Sequence, residues 1–260
     1  MMNTLKEFFC LNKKFLVYNM VSRNLKVKYR RSALGFLWTL AMPLSQALVY
    51  YFVFKYIFKS RTDYYVAYVL MGILPWGFVA QTLTEASESL IFNSGILTKI
   101  PTPIQIFPLV TNVTNMVTLL LGLPVVILFA GITGAPMGLS LVLIPLLLFF
   151  LFVISYSLTL FLSVQSVYYR DLKPALAMIV QLLFYATPVI YDLSMLPESF
   201  HWILWVNPFG SAFICLHQIL PGGQWPDLTM LLVTLVWTLG SMLFSIFTMK
   251  HHSRFIVERL

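Results

Sequence analysis

Leu25-Lys26-Val27-Lys28-Tyr29-Arg30-Arg31-Ser32-Ala33-Leu34-Gly35-Phe36-Leu37-Trp38-Thr39-Leu40-Ala41-Met42-Pro43 is the stretch where a cationic segment gives way to an apolar one. Upstream of it, Leu11, Phe15, Tyr18, Val21, Leu25 and Tyr29 recur at intervals of three and four, the spacing of one face of a 3.6-period helix. Lys13, Arg23, Asn24, Arg30 and Arg31 fall on the other side. That pattern predicts a helix lying in a membrane surface, with its basic side chains among anionic headgroups. Gly35 is a permissive point for the chain to turn from lying flat to crossing. The turn decides from which side the first span is entered.

The 260 residues are 59% hydrophobic and only 10% charged, and the mean hydropathy is +0.85. Soluble domains carry roughly 25% charged residues, so the composition indicates a polytopic membrane protein. A net charge of +8 in a soluble chain would suggest nucleic acid, but here its placement tells topology instead. The two cysteines, Cys10 and Cys215, suggest neither a disulfide framework nor a metal site, and are expected on opposite sides of the membrane. The first run long enough to span starts near Leu34, behind a long charged segment, which argues against a cleavable signal peptide.

Six apolar stretches approach the ~20 residues that a bilayer's hydrocarbon core requires. They cover about 34–58, 65–85, 107–131, 139–167, 173–193 and 227–249. Residues 1–33 are then a cytoplasmic amphipathic interfacial helix, and 34–260 a transmembrane domain. Fourteen of the seventeen Lys and Arg residues fall before the first span, in the second and fourth connections and in the tail; only Lys55, Lys59 and Arg61 lie on the other side. The bias predicts that both termini are cytoplasmic.

Two connections stand out. Glu85 to Pro108 carries a short apolar segment with Leu90, Ile91, Ile96 and Leu97, expected to be helical, broken at Gly95 and stopped by Pro101 and Pro103. An apolar segment on the cytosolic face implies a cover, or a loop resting on lipid. Leu193 to Pro226 holds two pieces, Met195–Val206 and Phe209–Leu220, separated by Asn207-Pro208. Each is too short to cross, so a re-entrant hairpin in the outer leaflet is expected, with one irregular seventh span as the alternative.

No glycine is followed by lysine, so no phosphate-binding loop is encoded. His-Glu-x-x-His, Cys-x-x-Cys and Gly-x-Ser-x-Gly are also absent, and His201, His217, His251 and His252 are scattered. The mid-spans offer amides such as Gln46, Gln81 and Gln165 rather than the ionisable groups that ion-coupled carriers keep near the midplane. If the chain moves something uphill, the energy comes from another subunit. Arg170-Asp171 reads equally as a solvated turn with a local ion pair or as part of a gate. Tyr50, Tyr51, Tyr56, Tyr64, Tyr65 and Tyr68 crowd more densely than interface anchoring needs, with Tyr185 and Tyr191 adding to them. Packing between helices is one use for them; a tyrosine face and hydroxyl also suit a sugar ring.

Lys28-Tyr29-Arg30-Arg31-Ser32-x-Leu34-Gly35-x-x-Trp38, closed by Pro43, resembles the N-terminal signature of ABC-2 type permeases that export polysaccharides, among them O-antigen and teichoic acid exporters. Lys99-Ile100-Pro101, Phe107-Pro108, Tyr169-Arg170-Asp171, Pro188-Val189-Ile190-Tyr191, Leu196-Pro197 and Trp205-Val206-Asn207-Pro208-Phe209 continue the match in the family's order. Thr102 departs from it, since many relatives have arginine after that proline. The resemblance implies an all-α homodimer, six spans per chain, working with two copies of a separate ATP-binding subunit. That subunit would hold ATP and Mg; this chain would hold no cofactor and catalyse no hydrolysis.

The same resemblance implies that residues 87–100 form the helix that couples to the ATPase, with Glu88, Leu90, Ile91, Gly95, Leu97 and Lys99 as contact residues. Tyr29, Arg30, Arg31, Gly35, Trp38, Arg170 and Asp171 would guard cytoplasmic entry, and the 195–220 hairpin would close the outer mouth. Tyr50, Tyr51, Tyr185 and Tyr191 are the expected channel aromatics. The implied cargo is a lipid-linked polysaccharide crossing the inner membrane, with teichoic acid, another lipid or a drug as rivals. A secondary carrier or channel, and a membrane glycosyltransferase using Glu85 and Glu88, are the readings from other classes.

Overall fold

The computed structural model describes residues 11–29, 37–53, 56, 64–99, 102–169 and 171–252, and among them the chain is helical, without strands. In chain order the α-helices are α1 (Leu11–Tyr29), α2 (Leu37–Phe52), α3 (Tyr65–Ser87), α4 (Ser89–Phe92), α5 (Ser94–Leu97) and α6 (Ile106–Ile132). They continue as α7 (Ile144–Tyr168), α8 (Leu172–Ala186), α9 (Trp202–Val206), α10 (Gly210–Ile219) and α11 (Leu228–His252). Four helical stretches among the described residues are long and apolar enough to cross a membrane: Tyr65–Ser87, Ile106–Ile132, Leu139–Tyr168 and Leu228–Lys250. α2 and α8, in the expected spans 34–58 and 173–193, have 16 and 15 described residues. At 1.5 Å per residue they are about 22–24 Å long, short of the ~30 Å hydrocarbon core.

α3 is the central element. The most apolar window of this helix is 78% buried, against 22% for α11 at the periphery. Its neighbours are α6, α7, α2, α8 and α10. Between α7 and α11 the Phe161 and Phe244 rings meet with centroids 5.1 Å apart, and beside them α11 contributes a row of small residues. α11 buries Thr234, Thr238, Ser241, Ser245 and Thr248 and exposes Leu232, Val236, Leu239, Leu243 and Phe247. The alternating four-three spacing of the hydroxyl residues makes one stripe, which lets two backbones approach closely in an apolar surrounding. The hydroxyls donate to carbonyls of their own helix, Thr238 Oγ1 to Thr234 at 2.7 Å and Ser241 Oγ to Thr238 at 3.0 Å. The stripe is therefore polar in composition but satisfied before the helices meet.

Around Trp76 on α3 the aromatic rings of Phe184, Phe209 and Phe213 are arranged edge to face, with centroids 5.8, 6.3 and 6.0 Å away. Each such pair adds about 0.5–1.5 kcal/mol beyond the area it buries. Together they lock α3, the end of α8 and the 209–219 segment into one core. A second cluster sits where α1, the α4–α5 elbow, α6 and α7 meet, built on Met20, Leu90, Leu97, Ile106, Phe107 and Val164.

α1 lays Leu16, Val17, Met20 and Val21 against this cluster, and leaves Phe15 and Tyr18 67% and 70% exposed. Tyr18, Val21 and Leu25, from the stripe that the three-four spacing picks out, line a groove against Ile106, Leu109, Val113 and Val117 of α6. A helix held between a protein body and lipid has two apolar surroundings to satisfy, so it carries apolar residues on more than one side. The elbow breaks at Asn93 (φ −108°, ψ 18°), not at Gly95, which lies inside α5. Asn93 Nδ2 donates to the Ser89 carbonyl at 2.8 Å, so the amide competes with the helix ladder.

Candidate functional site

One end of the bundle holds the elbow. α3 ends at Ser87, Glu88 leaves the helical conformation (φ −91°, ψ 0°), and α4 and α5 follow as single turns. Leu90 and Leu97 anchor them in the second cluster. Ser166 of α7 donates to the Ser87 carbonyl, and Ser89 Oγ donates to Ala86 O at 2.6 Å. With the elbow pinned from within, Ile91, Phe92, Gly95 and Lys99 face outward, Phe92 with 74% of its surface exposed. Polar links run from the elbow's surroundings to other elements. Lys28 of α1 donates to Gln81 Oε1 (3.3 Å), Asn115 Nδ2 to Glu85 Oε2 (3.2 Å), and Lys173 Nζ lies 2.9 Å from Glu88 Oε2.

The opposite end is closed by a node that the sequence reading did not single out. After α8 the chain passes Thr187 to Tyr191 across the start of α3. Tyr65 donates its hydroxyl to the Ile190 carbonyl (2.9 Å) and Tyr68 to the Tyr191 carbonyl (2.7 Å). The His217 ring stacks on Tyr68 at 3.8 Å and 16°, and its Nε2–H donates to the Tyr68 carbonyl at 3.1 Å. That tautomer leaves Nδ1 buried and without a hydrogen-bond partner among the described residues. The close approach needs Gly72, because any Cβ there would run into the Val189 carbonyl and stand 3.2 Å from His217 Nε2.

Asn207 joins the node to the 202–219 segment. Its Nδ2 donates to Thr187 Oγ1 (2.8 Å) and Ala186 O (3.2 Å), while its Oδ1 accepts from the Phe209 N–H (3.0 Å). α10 follows with Gly210 to His217 all buried. The second arm of the expected hairpin is thus enclosed by protein, packed on α3, α7 and α11.

The expected gate and channel residues divide. Arg30, Arg31, Gly35 and Arg170 lie outside the described residues, as do the side chains of Tyr29 and Tyr50. Trp38 and Asp171 are exposed, Tyr51 packs partly buried against the main core, and Tyr185 is 62% exposed. The structure brings Tyr185 and Tyr191 together, the Tyr191 hydroxyl donating to the Tyr185 carbonyl at 2.8 Å. It does not bring them near the elbow. The residues that sequence reasoning missed are Gly72, Tyr65, Tyr68, Thr187, Asn207 and His217 as one node, and Lys173 as the partner of Glu88. Asn207-Pro208 was visible as punctuation, but nothing local in the sequence signals its tie to Thr187. No group of three or more His, Cys, Asp or Glu side chains among the described residues could hold a metal ion.

Comparison with known proteins places this arrangement. A family profile described as ABC-2 type transporter matches residues 16–220. Among similar proteins is an O-antigen export system permease protein RfbA of Klebsiella pneumoniae, 31% identical over 209 residues, which is 80% of this chain and 81% of that protein. Another protein of the same name and organism is 30% identical over 209 residues, with the same coverage. A permease of that name from Myxococcus xanthus is 29% identical over 234 residues, 87% of this chain and 90% of its own length.

Proposed function

Because the chain belongs to the ABC-2 type transporter family, we propose that it is the membrane subunit of an ATP-driven exporter of a lipid-linked polysaccharide of the O-antigen kind. The observation that carries the reading is the shared name and extended match of the relatives, each aligned over four fifths or more of both chains. The exposed Ile91 and Phe92 on a pinned elbow support it, since they present an apolar surface of the kind a partner subunit covers.

In this reading two copies of the chain form the path and two ATP-binding subunits dock on the elbows through Glu88, Leu90, Ile91, Gly95, Leu97 and Lys99. Residues 1–33 form the cytoplasmic interfacial segment, and 34–260 the transmembrane domain with six spans in the inner membrane. α2 and α8 then belong to crossings completed by the residues that flank them, both termini are cytoplasmic, and the 195–220 hairpin closes the outer mouth. Tyr29, Arg30, Arg31, Gly35, Trp38, Arg170 and Asp171 line the entry, and Tyr50, Tyr51, Tyr185 and Tyr191 face the polymer. ATP and Mg stay with the partner.

The test is reconstitution. The purified permease alone is expected to hydrolyse no ATP, and co-expression with an ATP-binding subunit is expected to restore surface polysaccharide. Gly95→Pro, which disfavours the helical conformation of Ser94 at the start of α5, is expected to abolish export and retention of the ATPase on the permease. Export that persists without any ATP-binding subunit would sink the proposal.

A further inference from the structure

Glu88 and Lys173 each stand at the wrong end of their own helix. Glu88 follows the last turn of α3, where the unpaired carbonyls disfavour a carboxylate. Lys173 lies in the first turn of α8, where the unpaired N–H groups disfavour an ammonium. Glu88 also precedes the single turn α4, but its side chain makes no capping hydrogen bond there; the partner its carboxylate does have is Lys173, 2.9 Å away. α8 has little else to hold its N-terminal end. Leu176 and Val180 are its only buried residues among those described, and its firm attachments lie at the C-terminal end, where Phe184 meets Trp76 and the chain enters the node at Gly72. The elbow, by contrast, is fixed on α7 and the second cluster.

We infer that Lys173 is a positioning residue: its ion pair with Glu88 ties the N-terminal end of α8 to the elbow, so that a displacement of the elbow by the ATP-binding partner is carried to α8. The inference rests on the exporter reading and goes beyond it by naming the helix that receives the motion. With 66% of the lysine side chain exposed, the pair contributes little to folding, so a substitution at Lys173, which lies outside the docking residues, leaves a folded protein in which the link alone is cut.

The experiment uses Lys173→Glu, Glu88→Lys and the double exchange in the complex with its ATP-binding subunit in proteoliposomes. The readout is polysaccharide moved per ATP hydrolysed. In parallel, spin labels at the exposed Thr98 and Ala177 of the permease report the distance from elbow to α8. Each single reversal is expected to lower the transport ratio roughly fivefold, the scale of one exposed pair, and to broaden the label distances. The double exchange, which restores opposite charges, is expected to recover both. An unchanged ratio in Lys173→Glu, or single variants that the double exchange does not rescue, would overturn the inference. A wild-type complex that shows no ATP-dependent export would instead refute the exporter reading, while the label distances still report on the tie itself.

Discussion

Adding one methyl group at Gly72 tests the node at its tightest point. A Cβ there would overlap the Val189 carbonyl and come within 2.8 Å of its carbon, so backbone rather than a flexible side-chain tip must move. Overpacking of this kind costs about 1–3 kcal/mol. If the 187–191 segment lifts off α3, the hydrogen bonds from Tyr65 to Ile190 and from Tyr68 to Tyr191 go with it, at about 0.5–1.5 kcal/mol each. Alanine is favoured over glycine inside a helix by about 0.5–1 kcal/mol, which offsets only part of the loss. Gly72→Ala is therefore expected to be destabilised by about 1–5 kcal/mol.

Gly77 on the same helix and Gly240 on α11 have nothing within 4 Å of an added Cβ. There the same substitution is expected to be neutral or stabilising, by up to about 1 kcal/mol. Thermal unfolding of the purified variants in detergent measures the contrast. At roughly 2–4 °C per kcal/mol for a chain of this size, Gly72→Ala is expected to melt several degrees below both controls. Equal midpoints for Gly72→Ala and Gly77→Ala would refute the close approach of Val189 to α3.

Asn207→Ala removes three hydrogen bonds from a buried junction and is expected to cost about 1–3 kcal/mol, read as a lowered unfolding midpoint; an unchanged midpoint would contradict the tie between Asn207 and Thr187. For the tyrosines, replacement by phenylalanine and by alanine is compared at equal protein level. If rings carry the polymer by stacking, phenylalanine at Tyr50, Tyr51 or Tyr185 preserves surface polysaccharide and alanine loses it, while normal export by every alanine variant removes the channel role. Tyr191→Phe is expected to show an added stability cost of about 1 kcal/mol, because its hydroxyl donates to Tyr185. A membrane-impermeant thiol reagent added to intact cells is expected to spare Cys10, and labelling of it from outside would reverse the topology. Cys215 is fully buried and is expected to react only after unfolding.

The sequence by itself was enough for the statements that depend on composition and on neighbours along the chain. Apolar runs and the scarcity of charge point to a multi-pass membrane protein. The short motifs from Lys28 to Phe209 carried the family. Those signals are one-dimensional, so they survive without any knowledge of which segments meet. Tertiary structure alone decided which residues of α1 join the second cluster, because Leu16 and Met20 are chosen by what α4, α6 and α7 present to them. It decided that Gly72 is indispensable, since the requirement arises only when a segment more than a hundred residues away crosses α3. The same holds for Lys173, which in sequence is an ordinary loop cation and in space sits beside Glu88. A hydrogen bond, an ion pair or a close approach belongs to two places at once, and periodicity along a chain reports on one place at a time.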